Sequence, residues 1–378
     1  MDYKMSNKWE SYAKIGGNKV GEFFTEYFGK PNKKLLYIMG KGFDVRMNSL
    51  IQVLINSCST VNVECLLVDY NESSDSASKQ YSSFVDTNLT ELKTLLDSRS
   101  LIRKPIDLFS GSAGKRKWIG DRTINGIIPE DLSEVTDIIV DIGALQRSVY
   151  PSLIGTLLSL IEQKQLNINL FVGVTENARI DALITEVGTE HDLKYLHGFG
   201  GNIEITSEAE TPIIWFPFLG EGKMEQLKKA QDQIIKHTRP YEICPVLPFP
   251  SKDLRRSDAL IMEYHEWLFD ASQIASKDII YVPEQNPFEA YIRLNNAIRN
   301  YNESLKTLGG CKAIVSNFSS KLLSIGSILS AYELKNDIGV GLLNVPSEGY
   351  NIRDENEMQA LKSESQSFLM WLTGDPYK

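Results

Sequence analysis

The sequence is short of the residues on which most hydrolytic and metal-site chemistry rests. It has four cysteines and four histidines in 378 residues. Cys58, Cys65, Cys244 and Cys311 lie far apart, with no CxxC or Cys/His spacing that would hold zinc, and are expected to be free thiols in a reducing compartment. The histidines stand in no HExxH or triad-like setting, and no GxSxG elbow is present. Positive charge is also scarce. With 40 basic and 49 acidic side chains the formal net charge is −9, which argues against a dedicated nucleic-acid binder, because a phosphate backbone is gripped mainly through excess Lys and Arg. Long apolar runs are missing too. The most apolar helical stretch, Val149 to Ile161, falls short of the roughly 20 apolar residues that span a bilayer. Lys4, Lys8, Glu10 and Lys14 break any leader-like run at the N-terminus. The expectation is a cytoplasmic protein with no membrane segment and no metal site, and nothing in the pattern names a cofactor.

What is present is a pattern that occurs twice. An apolar run, Leu35 to Met39, leads into Gly40-Lys41-Gly42-Phe43-Asp44, and a second, Ile213 to Leu219, leads into Gly220-Glu221-Gly222-Lys223. Asp137 to Asp141 leads into Gly143 to Ser148 and an apolar helix, and Ala313 to Ser316 leads into Ser319-Ser320-Lys321 and another. Strand, glycine turn and helix in repetition are the grammar of a parallel α/β sheet. The predicted fold is therefore α/β, two Rossmann-like halves with mainly parallel sheets and an internal duplication. Unalternated aliphatic strands, covered on both faces, are expected at Leu35–Met39, Val63–Val68, Ile138–Asp141 and Ile168–Val174 in the first half. In the second they fall at Ile213–Phe218, Glu242–Leu247, Asp278–Val282, Ala313–Ser316 and Gly339–Val345. The expected segments are a helical lead-in over 1–32, the first half over 33–188, a connector over 189–211, the second half over 212–352 and a C-terminal helix over 353–378. Residues 99–129 read as irregular, with a basic run at Gly111 to Trp118. That run is no Walker A motif, since Phe109 stands where the first glycine belongs and Arg116 follows Lys115.

Parallel sheets bind ligands outside the carboxyl ends of their strands, so the loops there supply the candidate residues. Gly40, Lys41, Gly42, Asp44 and Arg46 form the sharpest group: glycines let a ligand approach the main chain, a helix start favours an anion, and Arg46 adds a charged fork. It is not a dinucleotide fingerprint, because Val45 stands where the third glycine would be. Asp141, at the end of a buried strand, either pairs with Arg147 or caps the next helix. Ser319, Ser320 and Lys321 read as a phosphate cradle or as ordinary capping. Thr175, Glu176 and Asn177, with Glu284 and Asn286, place carboxylates beside amides at strand tips, suited to ribose or base edges or simply to turning the chain.

The segment Asp141-Ile142-Gly143-Ala144-Leu145-Gln146-Arg147 resembles the D-[IV]-T-G-G-x-K motif of the CRISPR-associated Rossmann-fold (CARF) sensors of cyclic oligonucleotides. Asp141, Ile142 and the basic Arg147 match, and the Thr-Gly-Gly centre does not. Two such folds in one chain are similar to the SAVED sensors of bacterial antiviral signalling. The resemblance implies a nucleotide or other phosphorylated small molecule held between the halves, with a sensing role in antiphage defence and output through a protein partner or homo-oligomer. Two further readings stand beside it. One is a nucleotide-directed transferase or hydrolase with Asp44, Asp141 or Glu176 as general base. The other is a scaffold subunit of a larger defence complex.

Overall fold

A computed structural model describes residues 7–71, 77–110, 117–188, 193–200, 211–237, 240–347 and 349–378. The chain forms two compact units. The first takes residues 12–188 and 347–378, and the second the described residues within 1–11 and 189–346. Each has its own mainly parallel sheet and its own apolar core.

The first sheet has seven strands. Its parallel members, in spatial order, are Asn169–Glu176, Asp137–Asp141, Leu35–Gly40, Val63–Asn71 and Ser100–Asp107. Numbered by sequence this is the 3-2-1-4-5 order of a doubly wound sheet, and its direction reverses between Leu35–Gly40 and Asp137–Asp141. The central strands are buried on both faces, which explains their unalternated aliphatic runs. Helices Lys19–Phe28 and Ser49–Ser57 pack Phe24, Tyr27, Leu50 and Leu54 on one face of the sheet.

The second sheet repeats the order. Val340–Asn344, Lys312–Asn317, Ile213–Phe218, Val246–Pro248 and Ile280–Val282 lie side by side and parallel, with Glu242–Ile243 also paired to Ile213–Phe218. Direction reverses between Ile213–Phe218 and Lys312–Asn317, the counterpart of the first reversal. On the same flank each sheet adds an antiparallel strand, Gln366–Trp371 in the first and Lys194–Tyr195 in the second. The duplication read from weak sequence pattern is thus present in the strand order.

Three segments differ from expectation. Residues 99–129 include the strand Ser100–Asp107, whose alternating exposure, charges and Pro105 suit the sheet edge where it lies. The C-terminal segment is not one helix. After the short helix Glu355–Ala360 comes Gln366–Trp371, which pairs antiparallel with Asn169–Glu176 and buries Phe368, Leu369 and Met370. The N-terminal lead-in holds the expected helix Lys19–Phe28, preceded by strand Ala13–Gly16, which extends the sheet beyond Gln366–Trp371. Residues 7–11 belong to the second unit, where Trp9 is fully buried edge-on against Tyr291, with ring centroids 5.4 Å apart. The centre of the basic run, 111–116, lies outside the described residues, as does most of the expected connector.

At both reversals two backbone loops touch. A Cβ on Gly40 would lie 2.5 Å from the carbonyl oxygen of Ala144, and one on Gly220 would overlap the carbonyl oxygen of Phe318. Gly220→Ala is therefore expected to lower unfolding free energy by about 2 kcal/mol, the range for overpacking a rigid contact. Gly126→Ala, where the added methyl meets nothing within 4 Å, is expected to be near neutral. Urea denaturation of the two variants checks the difference.

Candidate functional site

In the first unit Met39 and Asp141 are paired in register, so the glycine turn and the 142–148 loop leave the sheet side by side. Asp141 is 4% exposed and tied down on both oxygens. Its Oδ2 accepts from the Tyr37 hydroxyl at 2.7 Å and its Oδ1 from the Gly143 N–H at 2.9 Å. The adjacent hydroxyl is held neutral: burial and the Asp141 charge push Tyr37 well above the usual phenol value. Asp141 thus braces its own loop and does not cap the next helix, which starts at Tyr150 with Val149 at the cap position.

The glycine turn is equally braced. The Lys41 ammonium pairs with Asp69. Asp44 accepts from the Arg46 backbone N–H at 2.9 Å, closing the turn that precedes helix Ser49–Ser57. The Arg46 side chain is 9% exposed and holds Asp44 through Nε at 3.0 Å and Nη2 at 2.7 Å, with Asp181 also 2.7 Å from Nη2. The two carboxylates outweigh the burial that opposes its charge, so the guanidinium stays well above its ordinary pKa. Arg46 is an anchor between loops, where the sequence suggested an open fork. Asn88, buried on helix Ser82–Leu96, completes the brace by donating to Gly42 O at 3.0 Å and Asp44 O at 2.9 Å.

The trio after the neighbouring strand is drawn into structure rather than left at a tip. Thr175 Oγ1 and Ser367 Oγ lie 2.9 Å apart in the ladder, and Glu176 pairs in register with Gln366. Asn177 caps the following helix, accepting from Arg179 N at 3.0 Å, and donates to Leu361 O at 3.1 Å.

Arg147 is different. Its Nη1 is shielded from solvent with no acceptor in reach among the described residues. Burial opposes its charge, and the fields of Tyr150, Glu186, Tyr350 and Asp181 more than offset this, so the guanidinium titrates above its usual range. Glu186 and Tyr350 belong to a two-stranded antiparallel pair, Ile184–Val187 with Gly349–Ile352. Ile184 and Ile352 of that pair, with Phe43, Val45 and Tyr81, form a separate apolar cluster.

In the second unit the loops are stapled by Arg256. Its Nε bonds Glu221 at 2.6 Å and its Nη2 the other oxygen at 2.9 Å, while Nη1 reaches Glu284. Glu284 also accepts from Lys252 N at 2.7 Å, so it serves the loop framework. Asn286 stands at the start of helix Pro287–Ser304, with its N–H on Pro283 O at 3.1 Å. Ser320 caps helix Lys321–Leu334 by accepting from Leu323 N at 3.2 Å, and Lys321 is the first residue of that helix. Ser319, one residue earlier, is 5% exposed, and its hydroxyl has no partner among the described residues.

Sequence reading missed Tyr37, Asn88, Asp181 and Arg256. Only Asn88 leaves a local signal, a polar residue beside Leu89 and Leu92 on a helix. The others meet their partners through tertiary folding. Among the described residues no cluster of His, Cys, Asp and Glu could hold a metal, and no helix is long and apolar enough to cross a membrane.

No protein-family model matches the chain, and no curated protein matches it in sequence. Similar solved structures include one described as a universal stress protein from Pseudomonas aeruginosa UCBPP-PA14, at 9% identity over 88% of this chain and 97% of that one, with a TM-score of 0.22. A functionally unknown protein from Pseudomonas aeruginosa PAO1 is 9% identical over 87% and 96%, with a TM-score of 0.23. A universal stress protein from Archaeoglobus fulgidus is 8% identical over 82% and 96%, with a TM-score of 0.24. Such scores carry no argument about ligand or activity. The Rossmann-like α/β class rests on the strand order above, and the finer likeness to CARF and SAVED sensors gains nothing from these structures.

Glu221 gives a pH prediction. Burial raises its pKa, but the hydrogen bonds and charge of Arg256 win and hold it below the ordinary glutamate value. A depressed carboxylate contributes stability above its unfolded pKa of ~4.3 and loses it as pH falls through the folded value. Wild type is expected to lose stability more steeply below about pH 4.3 than Glu221→Gln. The difference should stay under about 1 kcal/mol, because Glu221 is half exposed. Urea titrations at stepped pH measure it.

Proposed function

We propose that the chain binds a nucleotide or another phosphorylated small molecule, with Arg147 in the first unit holding its anionic group. The observation that carries this is the buried Arg147 Nη1 without an acceptor. A buried donor left unmade costs roughly 1–3 kcal/mol, and more when charged, so a site retaining one is poised for a partner. The guanidinium fork suits phosphate and carboxylate oxygens bidentately. Its position supports the same reading, since the loop after Asp137–Asp141 flanks the reversal of strand order where doubly wound sheets take their ligands.

The phosphate is assigned to Arg147 rather than to the Gly40–Arg46 turn, because the Arg46 guanidinium there is already taken by Asp44 and Asp181. Lys41 would contribute by exchanging Asp69 for the ligand. The sensing role in antiviral defence has narrower support, the match of Asp141, Ile142 and Arg147 to the sensor motif. Catalysis gains no specific support, as Asp44 and Asp141, two of the three candidate bases, are committed to Arg46, Tyr37 and Gly143.

Arg147→Met tests the assignment. Titration calorimetry with adenosine and guanosine mono-, di- and triphosphates is expected to find a ligand whose affinity drops at least about tenfold in the variant, the loss of one charge-assisted hydrogen bond. The melting temperature of the unliganded variant is expected to change little, because the buried Nη1 has no acceptor to lose among the described residues. Equal affinity in both proteins, or no binding to wild type, overturns the proposal.

A further inference from the structure

The reversal in the second unit has a different polarity from the first. Strand Lys312–Asn317 pairs Asn317 with Phe218 in register, so Asn317 ends its strand beside the reversal, with Gly220 against the Phe318 carbonyl directly beyond. Two polar atoms here are buried and unpartnered among the described residues, Asn317 Oδ1 and Ser319 Oγ.

The hydrogen-bond network fixes which end of the Asn317 amide is free. Ser327 Oγ donates its proton to Ser324 O at 2.7 Å, so toward Asn317, 2.6 Å away, it can only accept. The amide nitrogen must therefore face Ser327, and the oxygen left over is a pure acceptor. An acceptor buried without a donor repels an anion and asks for an O–H or N–H. Ser319 adds a hydroxyl that can accept or donate.

We infer that the second unit's crevice binds a neutral, hydrogen-bond-donating group, a sugar hydroxyl or an exocyclic amine of a nucleoside, on Asn317 Oδ1 and Ser319 Oγ. This differs from the phosphate cradle expected at Ser319–Lys321: the hydroxyl of Ser320 is used in capping, and Asn317 gives the crevice the wrong sign for phosphate. The inference rests on these two atoms and not on Arg147.

The test uses probes that carry no phosphate, so its outcome is separate from that of Arg147. Full-length protein is titrated with adenosine, uridine and 2′,3′-dideoxyadenosine, with inorganic phosphate as a further probe, followed by ligand-observed NMR and calorimetry. Adenosine is expected to bind wild type, and Ser319→Ala to weaken it about tenfold, with no loss of unliganded melting temperature because the deleted hydroxyl has no partner. Asn317→Leu should abolish binding. Retention by uridine excludes the exocyclic amine as the required donor, and retention by the dideoxynucleoside excludes the 2′- and 3′-hydroxyls. Three outcomes overturn the inference: no binding of adenosine, binding untouched by both substitutions, or displacement of adenosine by inorganic phosphate in Arg147→Met protein. A crystal structure with adenosine present and only water on Asn317 Oδ1 does so as well.

Discussion

Both units are organised by one steric constraint, the contact of two main-chain loops at the point where strand order reverses. Doubly wound sheets normally open a crevice there, because the connections diverge to opposite faces. In this protein Gly40 lies against Ala144, and Gly220 against Phe318, with no room for a Cβ in either place. Backbone therefore floors each crevice. Whatever binds must do so on the side chains just above that floor, and the identity of each unit is set by the few residues that follow the contact.

Those residues give the units unlike chemistry on the same frame. Around the first contact nearly every charge is answered from within: Lys41 by Asp69, Arg46 by Asp44 and Asp181, Asp141 by Tyr37 and its own loop. Such saturation makes loops stiff, and sets apart Arg147, whose buried Nη1 has no partner among the described residues. Around the second, Arg256 bridges Glu221 and Glu284, and what stays unanswered is a pair of neutral oxygens. The same strand order thus carries different buried polar atoms in its two copies.

The parts legible in the sequence were those with one-dimensional signatures. Central strands buried on both faces show as aliphatic runs, so Leu35–Gly40, Asp137–Asp141, Ile213–Phe218 and Lys312–Asn317 stand out. Glycines at the loop contacts are visible too, and the neighbouring carbonyls that a Cβ would strike are visible only in the fold. The edge strand Ser100–Asp107 hides because most of its positions face water, and the internal strand Gln366–Trp371 hides because its short apolar run also reads as the end of a helix. Ion-pair partners hide more completely. Nothing near Arg46 in sequence announces Asp181, and a charged residue at a strand tip looks the same whether it will be free or clamped. Arg147 was on the candidate list for its spacing from Asp141. Its distinction, an empty donor among satisfied ones, exists only in three dimensions.

The route of the chain through the units sets an order for their completion. Strand Gln366–Trp371 sits between Asn169–Glu176 and Ala13–Gly16, so the first sheet is closed on that flank by residues made after the whole of 193–346. During synthesis the second unit has all its strands, and a place for Trp9 to dock, while the first still shows a bare edge along Asn169–Glu176. An open, apolar strand edge is a template for pairing with other chains. The first sheet is thus completed last, and a chain cut short before Gln366 carries every strand of the second sheet beside a first sheet with a bare edge.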